Sequence, residues 1–166
     1  MSTKIFEDKG MSDVGPLQFT VLFATVLGLT FFVNIFKINF VWQGALSTFP
    51  ATLQYCLLYL AVNSEYNEAK IFVGIGAIFG GISNTFLVLL IGKYLSFLCE
   101  DERTNIKGYY FGIGLIFYGS SNLGASIMSI VGDGLFSPKI FMALLIGLSA
   151  FAAVFGIFVI ENRPEF

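Results

Sequence analysis

The sequence contains no histidine, and only 12% of its 166 residues are charged. A soluble domain normally carries about a quarter charged residues. With histidine missing and Cys56 and Cys99 not at ligand spacing, no zinc, haem or iron–sulfur site is expected, and both cysteines read as unpaired structural thiols. Nine Lys+Arg against eleven Asp+Glu form no basic stripe, which argues against a nucleic-acid partner. No acid/base pair, and no nucleophile beside a base, can be assembled, so catalysis is not expected. Residues 1–16 read as a polar tail, since Lys4 and Lys9 are mixed with Glu7, Asp8 and Asp13. That stretch lacks the basic-then-apolar plan of a secretory signal and the acid-poor make-up of a transit peptide. No Asn-x-Ser/Thr sequon occurs, so exposure to a glycosylating lumen has no support.

What the sequence does have is apolar surface: 56% hydrophobic residues, 20 Phe, 18 Gly and a mean hydropathy of +0.81. A bilayer core about 30 Å thick takes about 20 apolar residues in helix. Five runs meet that length: Leu17–Phe36, Trp42–Val62, Ile71–Leu98, Tyr109–Val131 and Ile140–Ile160. Pro16 and Pro138 stand where a helix start tolerates proline, and Pro50 is expected to kink the second run. The runs are continuous rather than alternating, which favours helices over barrel strands. The expected fold is thus an all-α integral membrane protein of about five transmembrane helices, a membrane domain over 17–160, and a short tail over 161–166. Lys4, Lys9, Lys70 and Lys139 fall on one face and Lys37, Lys93, Arg103, Lys107 and Arg163 on the other, a balance that leaves orientation open.

No Asp, Glu, His or Arg lies well inside a run, whereas ion-coupled transporters place such groups near the midplane. The polar groups in the runs that could contact a neighbouring helix or line a pore are Gln54, Ser83, Asn84 and Asn122. Small residues four apart let two backbones approach closely. Gly76 with Gly80, Gly108 with Gly112, Ser120 with Gly124, and Ala152 with Gly156 have that spacing and are expected packing positions. Gly74-x-Gly76 and Gly112-x-Gly114 look superficially like nucleotide loops but lack the strand–turn–helix setting and a phosphate-binding Lys. Trp42, Tyr66, Tyr94, Tyr109, Tyr110 and Phe166 recur near run ends, as interfacial belts do. The stretch Glu100–Lys107 is the one dense charge cluster and reads as a solvated loop, with a docking patch for a basic partner as the sharper reading.

Two stretches carry a family likeness. Gly81-Ile-Ser-Asn-Thr-Phe-Leu-Val-Leu-Leu-Ile-Gly92-Lys-Tyr94-Leu95-Ser96 resembles the fourth-helix pattern of the uncoordinated-ninety-three-type ion-channel regulatory family, within the major facilitator superfamily. Asn105-Ile-Lys-Gly108-Tyr-Tyr-Phe111-Gly112-Ile113 resembles that family's opening of helix five, and Ser120-Ser121-Asn-Leu-Gly124 its ending. Val88, Ile91 and Ala125 depart from the family's Trp, Gln and Asn. The resemblance covers about Gly74 to Gly132 and implies helices two to six of one incomplete six-helix half, with Gly81 and Gly92 added to the packing positions. It implies a non-catalytic accessory or regulatory subunit among other membrane protein subunits and bound lipid, without cofactor. An organellar energy-converting complex, such as one of the mitochondrial inner membrane, would suit such a subunit. The alternative is a half-transporter or channel subunit that works only as an oligomer, because alternating access needs two repeats around a shared site.

Overall fold

The computed structural model describes residues 6, 10–33, 40–100, 112 and 137–161. Among them the chain forms four helices: α1 (Val14–Val33), α2 (Phe40–Asn63), α3 (Tyr66–Glu100) and α4 (Pro138–Glu161). Three segments are long and apolar enough to cross a membrane: Val14–Val33, Trp42–Asn63 and Tyr66–Lys93, with a further apolar stretch over Lys139–Val154. The chain therefore has the make-up of a helical membrane protein. The run Tyr109–Val131, apart from Gly112, lies outside the described residues.

Helices α1, α3 and α4 begin where local chemistry satisfies their free amides. Asp13 is the N-cap of α1: its carbonyl accepts from the Leu17 amide at 3.1 Å. Gly15-Pro16 then occupies the first turn, where a missing N–H costs nothing. The expected start at Leu17 was therefore one turn late. Ser137 caps α4, its carbonyl accepting from Phe141 at 3.1 Å and its hydroxyl from the Ile140 amide at 3.5 Å, with Pro138 as the first helical residue. At the end of α2, Asn63 Nδ2 donates to the Tyr59 carbonyl and Ser64 Oγ to that of Leu60, at 2.8 and 2.9 Å. Only Ser64 and Glu65 separate α2 from α3, so the two form an antiparallel hairpin. The polar stretch between the runs Trp42–Val62 and Ile71–Leu98 is mostly helix: Glu68 suits the positive end of α3, and Ala69 and Val73 are buried there. Hydropathy hides this turn because Asn67, Glu68 and Lys70 are polar.

The α2–α3 pair is the centre of the bundle, with α1 packed on α3 and α4 on α2. Close approaches fix the directions. Asp13 meets Lys70, and Thr25 faces Gly81, so α1 and α3 run parallel. Thr52 meets Ser149, and Met142 clusters with Leu58, Ala61 and Val62, so α4 runs antiparallel to α2 and parallel to α3. The starts of α1, α3 and α4 accordingly share one end of the bundle, here the proximal end.

That proximal end is closed by apolar residues that composition assigned to a polar tail. Phe6, Met11 and Val14 are buried in one cluster with Leu58, Ala61, Val62, Ala69, Val73 and Met142. The Met11 amide donates to the Phe6 carbonyl at 2.7 Å, and Gly10 lies between them at a φ of 75°. This is the bonding pattern of a Schellman turn, in which glycine takes the left-handed position and the flanking apolar pair make contact. By contrast α1 keeps Phe19, Phe23, Leu27, Phe31 and Phe32 exposed. Its hydroxyls are no obstacle to lipid, because Thr20, Thr25 and Thr30 donate to carbonyls one turn back at 2.7–2.8 Å.

Candidate functional site: a polar packing seam

Ser47, Thr52 and Gln54 of α2 and Ser83 of α3 lie at helix–helix contacts. Gly80 and Gly81 adjoin in sequence but serve different neighbours. A Cβ built on Gly80 would lie 2.5 Å from the Gln54 carboxamide of α2. One built on Gly81 would lie 2.6 Å from Thr25 Cβ and 3.0 Å from the Leu22 carbonyl oxygen of α1. Gly76 faces Leu57 and the Gln54 backbone of α2 at ordinary contact distances of 3.4–3.5 Å. The absence of these side chains is what brings three helices together. Small size replaces the hydrophobic drive that lipid cannot supply.

Hydrogen bonds tie the same seam. Ser83 Oγ donates to the Ser47 carbonyl oxygen, joining α3 to α2 at a buried site. Thr52 Oγ1 and Ser149 Oγ lie 3.0 Å apart, joining α2 to α4. Thr85 Oγ1 donates to its own helix at the Gly81 carbonyl, 2.8 Å away. Gln43 is fully buried, and Asn84 is half-buried. Thus Gln54 and Ser83, two of the expected interhelix or pore residues, sit at helix–helix contacts. Gly76, Gly80 and Gly81 do so as well. Gly92 has no described neighbour within 4 Å of a built Cβ, and neither has Gly112. Ala152 is exposed, and Gly156 lies in the final turns of α4. Gly108, Ser120, Asn122 and Gly124 lie outside the described residues.

Sequence reasoning missed Thr25, Ser47, Thr52 and Ser149, because a small hydroxyl in an apolar run gives no sign of which helix it will face. It also missed an ionic cluster at the proximal end. Lys70 Nζ lies 2.5 Å from Asp13 Oδ2 and 4.2 Å from the centre of the Tyr66 ring, while the Tyr66 hydroxyl donates to the same carboxylate oxygen at 2.8 Å. The Lys70 ammonium, and after it the Tyr66 hydroxyl, hold the Asp13 carboxyl below its ordinary value of 3.8. An aromatic ring beside charges is the kind of residue set found at membrane interfaces, and Trp42 is exposed toward the distal end. From Lys70 to Lys93, α3 rises about 35 Å, and no charged residue lies between them. That spacing matches a hydrocarbon core.

No group of three or more His, Cys, Asp or Glu that could hold a metal occurs among the described residues. Three helices of membrane length and composition are consistent with a helical membrane protein, and its described polar seam joins helix to helix. Comparison with protein-family models, with curated proteins and with solved structures returns no match.

Proposed function

We propose that the chain is a non-catalytic accessory or regulatory subunit that docks its apolar faces against a larger membrane assembly. One observation carries this reading: hydroxyl and amide groups that a solute path could use are engaged at helix contacts, Ser83 with Ser47, Thr52 with Ser149 and Gln54 over Gly80. The outward faces are apolar. They include Phe19, Phe23, Phe31 and Phe32 on α1, Ile71, Ile75 and Ile78 on α3, and Leu144, Leu148 and Phe151 on α4. Such faces suit lipid and helices of other membrane proteins alike.

The same reading takes the chain as five spans resembling helices two to six of a major facilitator half. Helix direction supports the count, since α3 ends distally and α4 starts proximally. On this reading the apolar run Tyr109–Val131 supplies the crossing between them. A half-transporter or channel subunit is the second reading, favoured by the half-buried Asn84 beside the seam.

Purification of the tagged chain from native membranes, with mass spectrometry of what accompanies it, tests the proposal. A stoichiometric complex with unrelated membrane subunits is expected. A chain that purifies alone or as a homo-oligomer, and carries solute flux after reconstitution, would overturn the subunit reading in favour of the second.

A further inference from the structure

We infer that α2 is a two-part helix hinged at Pro50, and that the Ser83 hydroxyl of α3 is the latch holding its distal arm, Phe40–Phe49, in place. Pro50 lies inside α2 and is buried. Its ring nitrogen has no hydrogen to donate, so the Leu46 carbonyl one turn back loses its helical partner and the helix is weakened there. Membrane helices tolerate this where hydroxyls from the same or a neighbouring helix supply bonds around the break.

Both kinds of hydroxyl are present. Ser47 Oγ and Thr48 Oγ1 donate to the Gly44 carbonyl at 2.7 and 3.1 Å, and such back-bonding bends a helix. Ser83 Oγ comes from α3 to the Ser47 carbonyl, next to the one that Pro50 leaves without a donor. On the other side of Pro50, Thr52 is tied to Ser149 of α4. Across the break in the backbone ladder, the distal arm is thus tied to α3 through Ser47, while the proximal part is tied to α4 through Thr52 and also packs on Gly76 and Gly80 of α3 through Gln54 and Leu57. Release of the Ser83 bond lets the distal arm move while the proximal part stays against α4. Such a movement uncovers Gln43, Ser47 and Ser83, all buried in the latched form, toward the distal end. The hinge is independent of whether the chain is an accessory subunit or half of a transporter.

Hydrogen–deuterium exchange of the full chain in lipid nanodiscs tests it, with wild type beside Ser83→Ala, Ser83→Thr, Pro50→Ala and the Pro50→Ala/Ser83→Ala pair. Interhelix hydrogen bonds in membranes have the strength to change an opening equilibrium by about three- to fifteen-fold. Ser83→Ala is expected to speed exchange by that factor over residues 44–51 and leave 56–61 unchanged. Ser83→Thr keeps the hydroxyl and is expected to match wild type. Pro50→Ala restores the ladder and is expected to cancel the Ser83→Ala effect in the double variant. Equal acceleration in both parts of α2, no acceleration at all, or a double variant as fast as Ser83→Ala would each overturn the hinge.

Discussion

Substituting alanine along the glycines of α3 should produce a graded stability series, with Gly81→Ala the most damaging member. The new methyl carbon would stand 2.6 Å from Thr25 Cβ, 2.8 Å from Thr25 Cγ2 and 3.0 Å from the Leu22 carbonyl oxygen. Carbon atoms pack at about 3.5–4.0 Å, so the overlap approaches an ångström. No rotamer change relieves it, because Cβ is fixed by the backbone. The Thr25 hydroxyl is moreover bonded to Val21 at 2.8 Å. Helix α1 itself must retreat. Overpacking of this kind costs about 1–3 kcal/mol, against about 0.5–1 kcal/mol gained by replacing glycine with alanine in a helix. A net loss of about 0–2.5 kcal/mol follows, and the overlap of nearly an ångström with backbone-fixed atoms places it in the upper half of that range.

Gly80→Ala meets only the terminal carboxamide of Gln54, which can swing aside, so its net effect should lie near zero. Gly74 has open space and should gain the helix-propensity term. Reversible unfolding in mixed detergent micelles would measure the order, and Thr25→Gly should partly rescue Gly81→Ala while barely affecting Gly74→Ala. If Gly81→Ala proved as stable as Gly74→Ala, the close approach of α1 to α3 would be wrong.

Removing either hydroxyl of the Thr52–Ser149 pair should cost about 0.6 kcal/mol and at most about 1.7, and a double-mutant cycle should show the two losses to be shared rather than additive. Phe6→Ala should loosen the proximal plug by about 1–3 kcal/mol, less than a soluble core because headgroups can receive the freed segment; faster cleavage around residues 6–13 by added protease would report it. The Asp13 carboxyl titrates below its usual value when folded, so its contribution is present above pH 3.8 and fades as pH falls through the lower folded value. The melting temperature should accordingly drop more steeply below pH 4 in wild type than in Asp13→Asn, and parallel curves would show that the Lys70 and Tyr66 contacts do not act on stability.

The helices were legible because an apolar run of bilayer length has few other ways to satisfy its backbone. Pro16 and Pro138 placed two starts to within a few residues. Helix ends outside the slab were less legible: Tyr66–Lys70 carries the polar residues of a loop, and only tertiary burial of Ala69 shows why it is helical. The Phe6 and Met11 plug left a faint signal, two apolar residues around Gly10 at Schellman spacing, hidden by the charges between them. Gly76 and Gly80 were found by their spacing. That Gly81 faces α1 and Gly80 faces α2 could not be read, because a one-dimensional pattern says which residues share a face and not what lies opposite. Asp13 and Lys70 are 57 positions apart, so their pairing depends on the bundle being formed first.

The spatial order of the bundle bears on how it is made. Helix α1 precedes α2 and α3 in the chain, yet its main seat is α3, whose docking residues Gly81 and Lys70 are made only after all of α2. Before α3 is made, α1 has no such seat, and its threonine hydroxyls are bonded to its own carbonyls. The hairpin of α2 and α3 is thus the element on which both α1 and α4 are seated.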